Sequence, residues 1–160
     1  MNYFQWMEGV NIKNLIKFNE QTNWFTKIEP TKEFSPSDAT CYTKDGRKIT
    51  VELKTRKETI KKLQEYGDIV IEPKKISHFT NVMESGYTLN ENCLYINFTK
   101  DGVAIFSFND LPKDAFVFYP NHQHKNPGKG YKLENETRFG LKTDNAIIYI
   151  YNEDGTLTKQ

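Results

Sequence analysis

The chain has 160 residues, 37% of them apolar, which predicts a single domain with room for a substantial core. A net charge of +1 excludes a globally basic nucleic-acid-binding protein, so a surface of that kind has to be local. The first twenty residues carry four charged side chains and no apolar run, and no stretch reaches the length of a membrane-spanning helix. These features predict a cytoplasmic protein with no membrane partner.

Periodicity and turn residues divide the chain into helices separated by short strands. Gly67 marks the end of the second helix, and Pro73 suits the first turn of the third. The predicted helices cover residues 8–22, 57–66 and 73–85. The predicted strands cover residues 24–29, both arms of a hairpin over 38–56, and then 68–72, 93–99, 103–108, 115–119 and 146–151.

This order of elements predicts an α/β (α+β) domain with a mixed central sheet and helices on its faces. The short apolar strand 68–72 is expected to be buried and parallel to its neighbours. Residues 120–131, rich in Pro, Gly and Asn, are expected to form a flexible basic loop. Cys41 and Cys93 are too isolated for a zinc site and are expected to be buried thiols.

The second arm of the hairpin carries the residues with the most informative chemistry. Side chains alternate between the two faces of a strand, so Val51 and Leu53 can enter a core while Glu52 and Lys54 project together from the other face. A carboxylate on the partner strand, beside this pair, would make a site for a divalent metal ion. Such a site could cut phosphodiesters.

Whether Asp38 supplies that carboxylate depends on the length of the hairpin loop. A two-residue loop would place Asp38 opposite Leu53, which sends its side chain to the apolar face. A three-residue loop over 44–46, with Gly46 in the left-handed region, would place Asp38 directly opposite Glu52. A metal site at this position therefore requires the three-residue loop or a bulge.

These residues resemble the motif of the PD-(D/E)XK nuclease superfamily, in which an acid on one strand faces Glu-x-Lys on the next. Asp38 matches the first acid, and Glu52 and Lys54 match the Glu-x-Lys. The resemblance covers about residues 8–75 and is similar to small phage and Holliday-junction-resolvase-type members. Ser37 stands where the family often has proline.

The resemblance implies a restriction-endonuclease-like fold over residues 1–160, with its core at about 8–110 and extra strands over about 111–160. It also implies a metal-dependent deoxyribonuclease whose partner is DNA and which works as a homodimer in many relatives. The alternative is a nucleic-acid-binding or protein-interaction module that keeps the fold without turnover. The biological setting, including a phage origin, is not fixed by the sequence.

The resemblance further implies a role for each site residue. Asp38, Glu52 and the backbone carbonyl of Leu53 would hold Mg²⁺ or Mn²⁺, and Lys54 would orient a water molecule and neutralise developing charge. Because two close carboxylates repel each other, one of them should have a raised pKa in the absence of metal. An acid on the first helix would complete the site, and the candidates are Glu8, which is preferred, and Glu20 as the alternative.

Basic residues near the motif and in the last third of the chain are candidates for contacts with DNA phosphates. Each of them has an ordinary alternative as a solvated surface residue. The candidates for phosphate contacts are Arg56, Lys57, Lys75, Lys125 and Lys129.

Overall fold

The computed structural model describes residues 2–85 and 92–160, apart from the side chains of residues 85, 122, 124 and 126. Its α-helices are α1 (Tyr3–Thr22), α2 (Ile60–Tyr66) and α3 (Pro73–Ser85). Its strands are β1 (Lys27–Pro30), β2 (Ala39–Tyr42), β3 (Lys48–Thr55), β4 (Asp68–Ile71), β5 (Asn92–Phe98), β6 (Gly102–Ser107), β7 (Phe116–Asn126), β8 (Lys132–Lys142), β9 (Ile147–Tyr151) and β10 (Leu157–Lys159). The prediction of an α+β domain is confirmed.

The larger sheet has seven strands in the order β1-β2-β3-β5-β6-β9-β10. Strands β3 and β5 run parallel, whereas the other neighbouring pairs run antiparallel, so the sheet is mixed as predicted. The connection from β3 to β5 passes through α2, β4 and α3. A crossover of this kind is what two parallel neighbours require.

Helix α1 begins at Tyr3, earlier than the predicted start at residue 8. The Asn2 side chain caps the helix by accepting a hydrogen bond from the Gln5 backbone N–H, and the Gln5 side chain accepts one from the Asn2 backbone N–H. This capping box stabilises the start of α1 at Tyr3, before the predicted start at residue 8. Its two residues, Asn2 and Gln5, are common polar residues that gave no strong signal in the sequence. Leu15 and Phe18 are buried from this helix and pack in the core on one face of the larger sheet.

The hairpin of β2 and β3 has the three-residue loop. Ala39 lies opposite Val51, and Thr43 and Arg47 close the loop with a backbone hydrogen bond of 3.0 Å. Gly46 has a φ of 78°, a left-handed conformation that glycine adopts without a steric penalty. The same register continues to Asp38 and Glu52, so these two residues lie opposite each other.

A smaller sheet has three strands in the order β4-β8-β7. Ile69, Ile71 and Leu141 of this sheet are buried in an apolar cluster with residues of α2 and α3. The prediction of a parallel strand at 68–72 was wrong, because β4 pairs antiparallel with β8. The predicted loop over 120–131 was also wrong, because most of it belongs to the long antiparallel hairpin of β7 and β8. Pro120 lies at a register shift in this hairpin, where a residue without an N–H group is tolerated.

Two buried clusters of apolar residues lie on opposite faces of the larger sheet. One contains Val51 and Leu53 of β3 together with the residues from α1, and the other contains residues from α2, β4, α3 and β8. Cys41 and Cys93 are buried thiols, as predicted. No helix in the described ranges is long and apolar enough to cross a membrane.

Candidate functional site

Asp38 is held at the point where β2 begins. Its backbone N–H donates to the carbonyl of Val51 at 3.0 Å, and its carboxylate oxygen Oδ2 accepts the backbone N–H of Leu53 at 2.7 Å. Burial raises the pKa of Asp38, while the hydrogen bond from Leu53 and the positive charge of Lys75 oppose that rise. The carboxylate is therefore fixed beside β3.

Glu52 lies in the middle of β3 and is 8% exposed. Its Oε1 forms an ion pair with the ammonium of Lys75 at 2.8 Å, whereas its buried Oε2 has no hydrogen-bond partner among the described residues. Burial raises the pKa of Glu52 to about 7, and the negative charge of Asp38 adds to the rise. The raised pKa agrees with the prediction for paired carboxylates, although burial contributes more than repulsion.

Lys75 reaches this carboxylate from the first turn of α3. Its ammonium donates to the backbone carbonyl of Pro36 at 3.1 Å as well as pairing with Glu52. These two contacts join α3 to β3 and to the loop that leads into β2. Lys75 was predicted as a phosphate contact or an auxiliary site residue, and it lies directly on a candidate metal ligand.

Lys54 projects from the same face of β3 as Glu52, and its side chain is partly accessible to solvent. Within the described part of the chain, no carboxylate forms an ion pair with its ammonium. Partial loss of hydration lowers the pKa of Lys54, and the positive charge of Arg56 lowers it further. The ammonium is thus available to an incoming anion.

Glu52, Lys54 and Lys75 line a polar cleft of about 220 Å³ between the two sheets, whereas Asp38 lines a different pocket, described below. The strand β3 contributes one wall, and β4, α3 and β8 contribute the others. Four cationic and two anionic side chains line the cleft, so positive charge prevails. The charged residues are Glu52, Lys54, Arg56, Glu72, Lys75 and Arg138.

The donor set meets part of what Mg²⁺ or Mn²⁺ needs. Glu52 Oε2 is buried without a partner, and Asp38 Oδ1 accepts no hydrogen bond from the described residues, so each carboxylate offers one oxygen to a hard cation. No group of three His, Cys, Asp or Glu side chains suited to a metal was found in the described residues. Two carboxylates with water as the remaining ligands fit magnesium, which keeps several of its waters.

The Leu53 carbonyl, the third predicted ligand, faces the side chain of Asn11 on α1. Asn11 Nδ2 approaches this oxygen at 3.5 Å, and the other end of the same amide accepts a hydrogen bond from Thr55 at 2.7 Å. A carbonyl oxygen has two lone pairs, so one direction is left for a cation. Asn11 was not anticipated, because an asparagine within a helix carries no signal of its own.

The two candidate acids of α1 lie far apart. Glu8 and Asp38 line the same pocket of about 380 Å³ between α1 and the loop before β2. Glu20 lies twelve residues further along the helix, or about 18 Å at the usual rise per residue. The structure therefore brings Glu8 to the side of the sheet where Asp38 lies, and leaves Glu20 at the other end of α1.

The remaining predicted DNA contacts have different surroundings. Arg56 lines the cleft, but its guanidinium donates to Asn97, to the carbonyl of Val70 and to the hydroxyl of Tyr95 at 2.7–2.9 Å. These bonds make it a support for the cleft wall. Lys57 is exposed and does not line the cleft.

Lys125 and Lys129 lie towards the tip of the hairpin formed by β7 and β8 and do not line the cleft either. Lys125 faces Leu133, about 17 Å along β8 from Arg138 at the usual strand spacing. Lys129 pairs with Glu134 at 2.6 Å. The structure does not bring these two lysines to the candidate metal ligands.

Arg138 lines the cleft but was not predicted as a site residue, because the sequence shows it only as one of several basic residues in the last third of the chain. It belongs to β8, which is distant in sequence from the motif and was not predicted as a strand. Glu72, at the end of β4, lies in the same cleft. The pairing of β4 with β8 brings both residues to the site, and this long-range pairing has no local sequence signal.

Comparisons with known proteins found no match by family model, by similarity to curated proteins or by similarity to solved structures. The α+β fold with a mixed sheet is therefore described from this chain alone. A functional assignment likewise has to be argued from the residues of the cleft.

Proposed function

We propose that the protein is a metal-dependent nuclease that hydrolyses DNA phosphodiester bonds in the cleft beside β3. The observation that carries this proposal is the buried oxygen of Glu52, which has no partner among the described residues, close to Asp38 and on the same strand face as the ammonium of Lys54. Burying a carboxylate oxygen without a hydrogen-bond partner costs free energy unless a ligand binds to it. A divalent cation would be such a ligand.

The order of strands supports the same proposal. The sheet places an antiparallel hairpin next to a parallel strand that follows a helical crossover. The resemblance to PD-(D/E)XK nucleases implies such a hairpin, with Asp38 at the start of one arm and Glu52 and Lys54 on the other, whereas the parallel strand β5 lies beyond the residues 8–75 that the resemblance covers. The fold of that superfamily is part of the proposal.

Each residue has a chemical task in this account. Asp38 and Glu52 would hold Mg²⁺ or Mn²⁺, which when bound lowers the pKa of water and stabilises negative charge on phosphate. Lys54 positions the attacking water by a hydrogen bond and neutralises charge that develops on the phosphate oxygens. Glu8, which lines the same pocket as Asp38, would hydrogen-bond water on that side.

Cleavage of plasmid, linear and branched DNA with Mg²⁺ or Mn²⁺ tests the proposal. Glu52→Ala and Lys54→Ala are expected to lower the rate at least a hundredfold, because each removes a group that acts on the reacting phosphate. Lys48→Ala is the matched control, since Lys48 is an exposed lysine of the same strand, and it should cut at the wild-type rate. Equal cutting by all three variants would refute the assignment.

One observation favours a second candidate, a DNA-binding module without turnover. The ion pair with Lys75 already supplies Glu52 Oε1 with a counter-charge, so half of this carboxylate is satisfied without metal. If this candidate is correct, the wild type binds DNA with an affinity that falls with salt, cuts no substrate, and binds equally well after Asp38→Ala.

A further inference from the structure

Arg138 extends from β8 into the cleft that contains Glu52 and Lys54. Its side chain is 16% exposed, which is unusual for an arginine outside a complex and shows that the guanidinium is held against the protein. It comes from the C-terminal half of the chain, which the resemblance to a nuclease family does not cover.

Two acidic side chains hold the guanidinium from one side. Glu136 accepts from both Nε and Nη2 of Arg138, at 3.0 and 2.8 Å. Glu72 lies 3.7 Å from Nη1, which is too long for a hydrogen bond. Since an arginine carries five N–H donors, the described contacts leave donors on Nη1 and Nη2 unused.

The electrostatics of the cleft favour an anionic ligand at this position. Arg138 and Lys54 both line the cleft, so their positive charges lie in the same confined space. Two cations that disfavour each other in a partly dehydrated cleft are both stabilised when an anion binds between them. A planar guanidinium with free donors suits the oxygens of a phosphate.

We propose that Arg138 binds a backbone phosphate of the DNA strand in the cleft, so that the hairpin of β7 and β8 forms part of the DNA-binding surface. This inference rests on the proposed function and adds the residue that fixes the strand next to the metal site. Glu136 and Glu72 position the guanidinium, and its free edge takes the phosphate. Arg138 also ties β8 to β4, and the experiment has to separate that structural role from binding.

The test measures binding of fluorescein-labelled duplex and branched DNA without divalent metal, between 50 and 200 mM salt, in a Glu52→Gln background. Arg138→Gln keeps a donor for Glu136 but removes the charge. Arg138→Lys keeps the charge but removes the planar set of N–H donors of the guanidinium. Lys132→Gln is the matched control, because Lys132 is an exposed cation of the same strand outside the cleft. Thermal melts of every variant report the structural role.

Loss of the phosphate contact should lower affinity at least about tenfold in Arg138→Gln and reduce the slope of log affinity against log salt by about one. Arg138→Lys should keep the wild-type slope with an affinity a few-fold lower, and Lys132→Gln should stay within twofold of the parent. The inference would be overturned if the affinity were unchanged in both Arg138→Lys and Arg138→Gln. If Arg138→Gln fails to fold, an unchanged affinity in Arg138→Lys would overturn it. A lower melting temperature with unchanged binding would show a purely structural residue.

Cleavage assays run in parallel separate this inference from the proposed function. Metal-dependent cutting that is unaffected by Arg138→Gln leaves the nuclease in place and removes Arg138 from binding. DNA binding that depends on Arg138, without cutting by the wild type, supports the phosphate contact and removes the nuclease. Absence of both binding and cutting in the wild type overturns both.

Discussion

The buried carboxylate of Glu52 makes the stability of the metal-free protein depend on pH. Its pKa is about 7 in the folded protein and near its ordinary value of 4.5 in the unfolded chain. Between these two values the folded state holds a proton that the unfolded state has released, so stability is greatest below about pH 4.5 and falls as pH rises towards 7. Asp38, whose pKa is also raised by burial, acts in the same direction.

Urea unfolding from pH 5 to 8 without metal tests this account. The free energy of unfolding of the wild type should fall by up to a few kcal/mol over this range, since each unit of pKa shift corresponds to about 1.4 kcal/mol. Glu52→Gln should abolish most of the fall, because its side chain does not titrate. Glu29→Gln, at a half-buried position of β1 away from the cleft, should keep the wild-type profile. A flat wild-type profile would show that Glu52 titrates normally.

At the scale of single residues, the sequence predicted some parts of the site and not others. Asp38, Glu52 and Lys54 could be proposed because two of them alternate on one strand and the third follows from a hairpin register. Lys75 and Arg138 could not be assigned to the cleft, because each reaches it from an element that meets β3 only in the folded chain. The amide of Asn11 beside the Leu53 carbonyl depends on how α1 packs, which no spacing in the sequence specifies.

The loop of the β2–β3 hairpin is the element on which the site depends. With Gly46 in the left-handed region, Asp38 lies opposite Glu52, whereas a shift by one residue would send one of them to the opposite face. The Asp45-Gly46 pair signalled a turn but left a two-residue and a three-residue loop open, and the structure has the three-residue loop. Local turn chemistry therefore predicted the hairpin but not its register.

Gly46→Ala is expected to destabilise the protein by about 1 kcal/mol, because an L-residue is disfavoured at this positive φ. A Cβ at this position would meet no atom within 4 Å, so the cost is conformational and not a clash. Urea unfolding measures it. Gly9→Ala, also without a steric contact but within α1, is the control and should stabilise by about 0.5–1 kcal/mol. A Gly46→Ala protein as stable as the wild type would contradict the proposed role of the turn.

The hairpin of β7 and β8 shows where local chemistry misleads. Its composition, with Pro, Gly and Asn, is typical of a loop, yet its strands pair along most of their length. Strand β4 was likewise read as parallel from its apolar run, because burial on both faces does not reveal the direction of a partner. Both errors concern pairings between residues far apart in sequence.

At the scale of the whole molecule, the cleft lies between the two sheets. The larger sheet supplies Glu52 and Lys54, and the smaller sheet and α3 supply the other walls. The class of fold could be predicted from the order of helices and strands, since the crossover between β3 and β5 follows from the helices between them. The second sheet could not, because it joins segments from the middle and the end of the chain.

The central claim is that Asp38 and Glu52 share one divalent cation, and Mn²⁺ binding followed by electron paramagnetic resonance tests it most directly. The account predicts one Mn²⁺ per chain in the wild type at pH 8, where Glu52 is ionised, and at least tenfold weaker binding in Asp38→Asn and in Glu52→Gln. Glu29→Gln should bind like the wild type. Wild-type affinity in both Asp38→Asn and Glu52→Gln would contradict the shared site and the nuclease proposed from it.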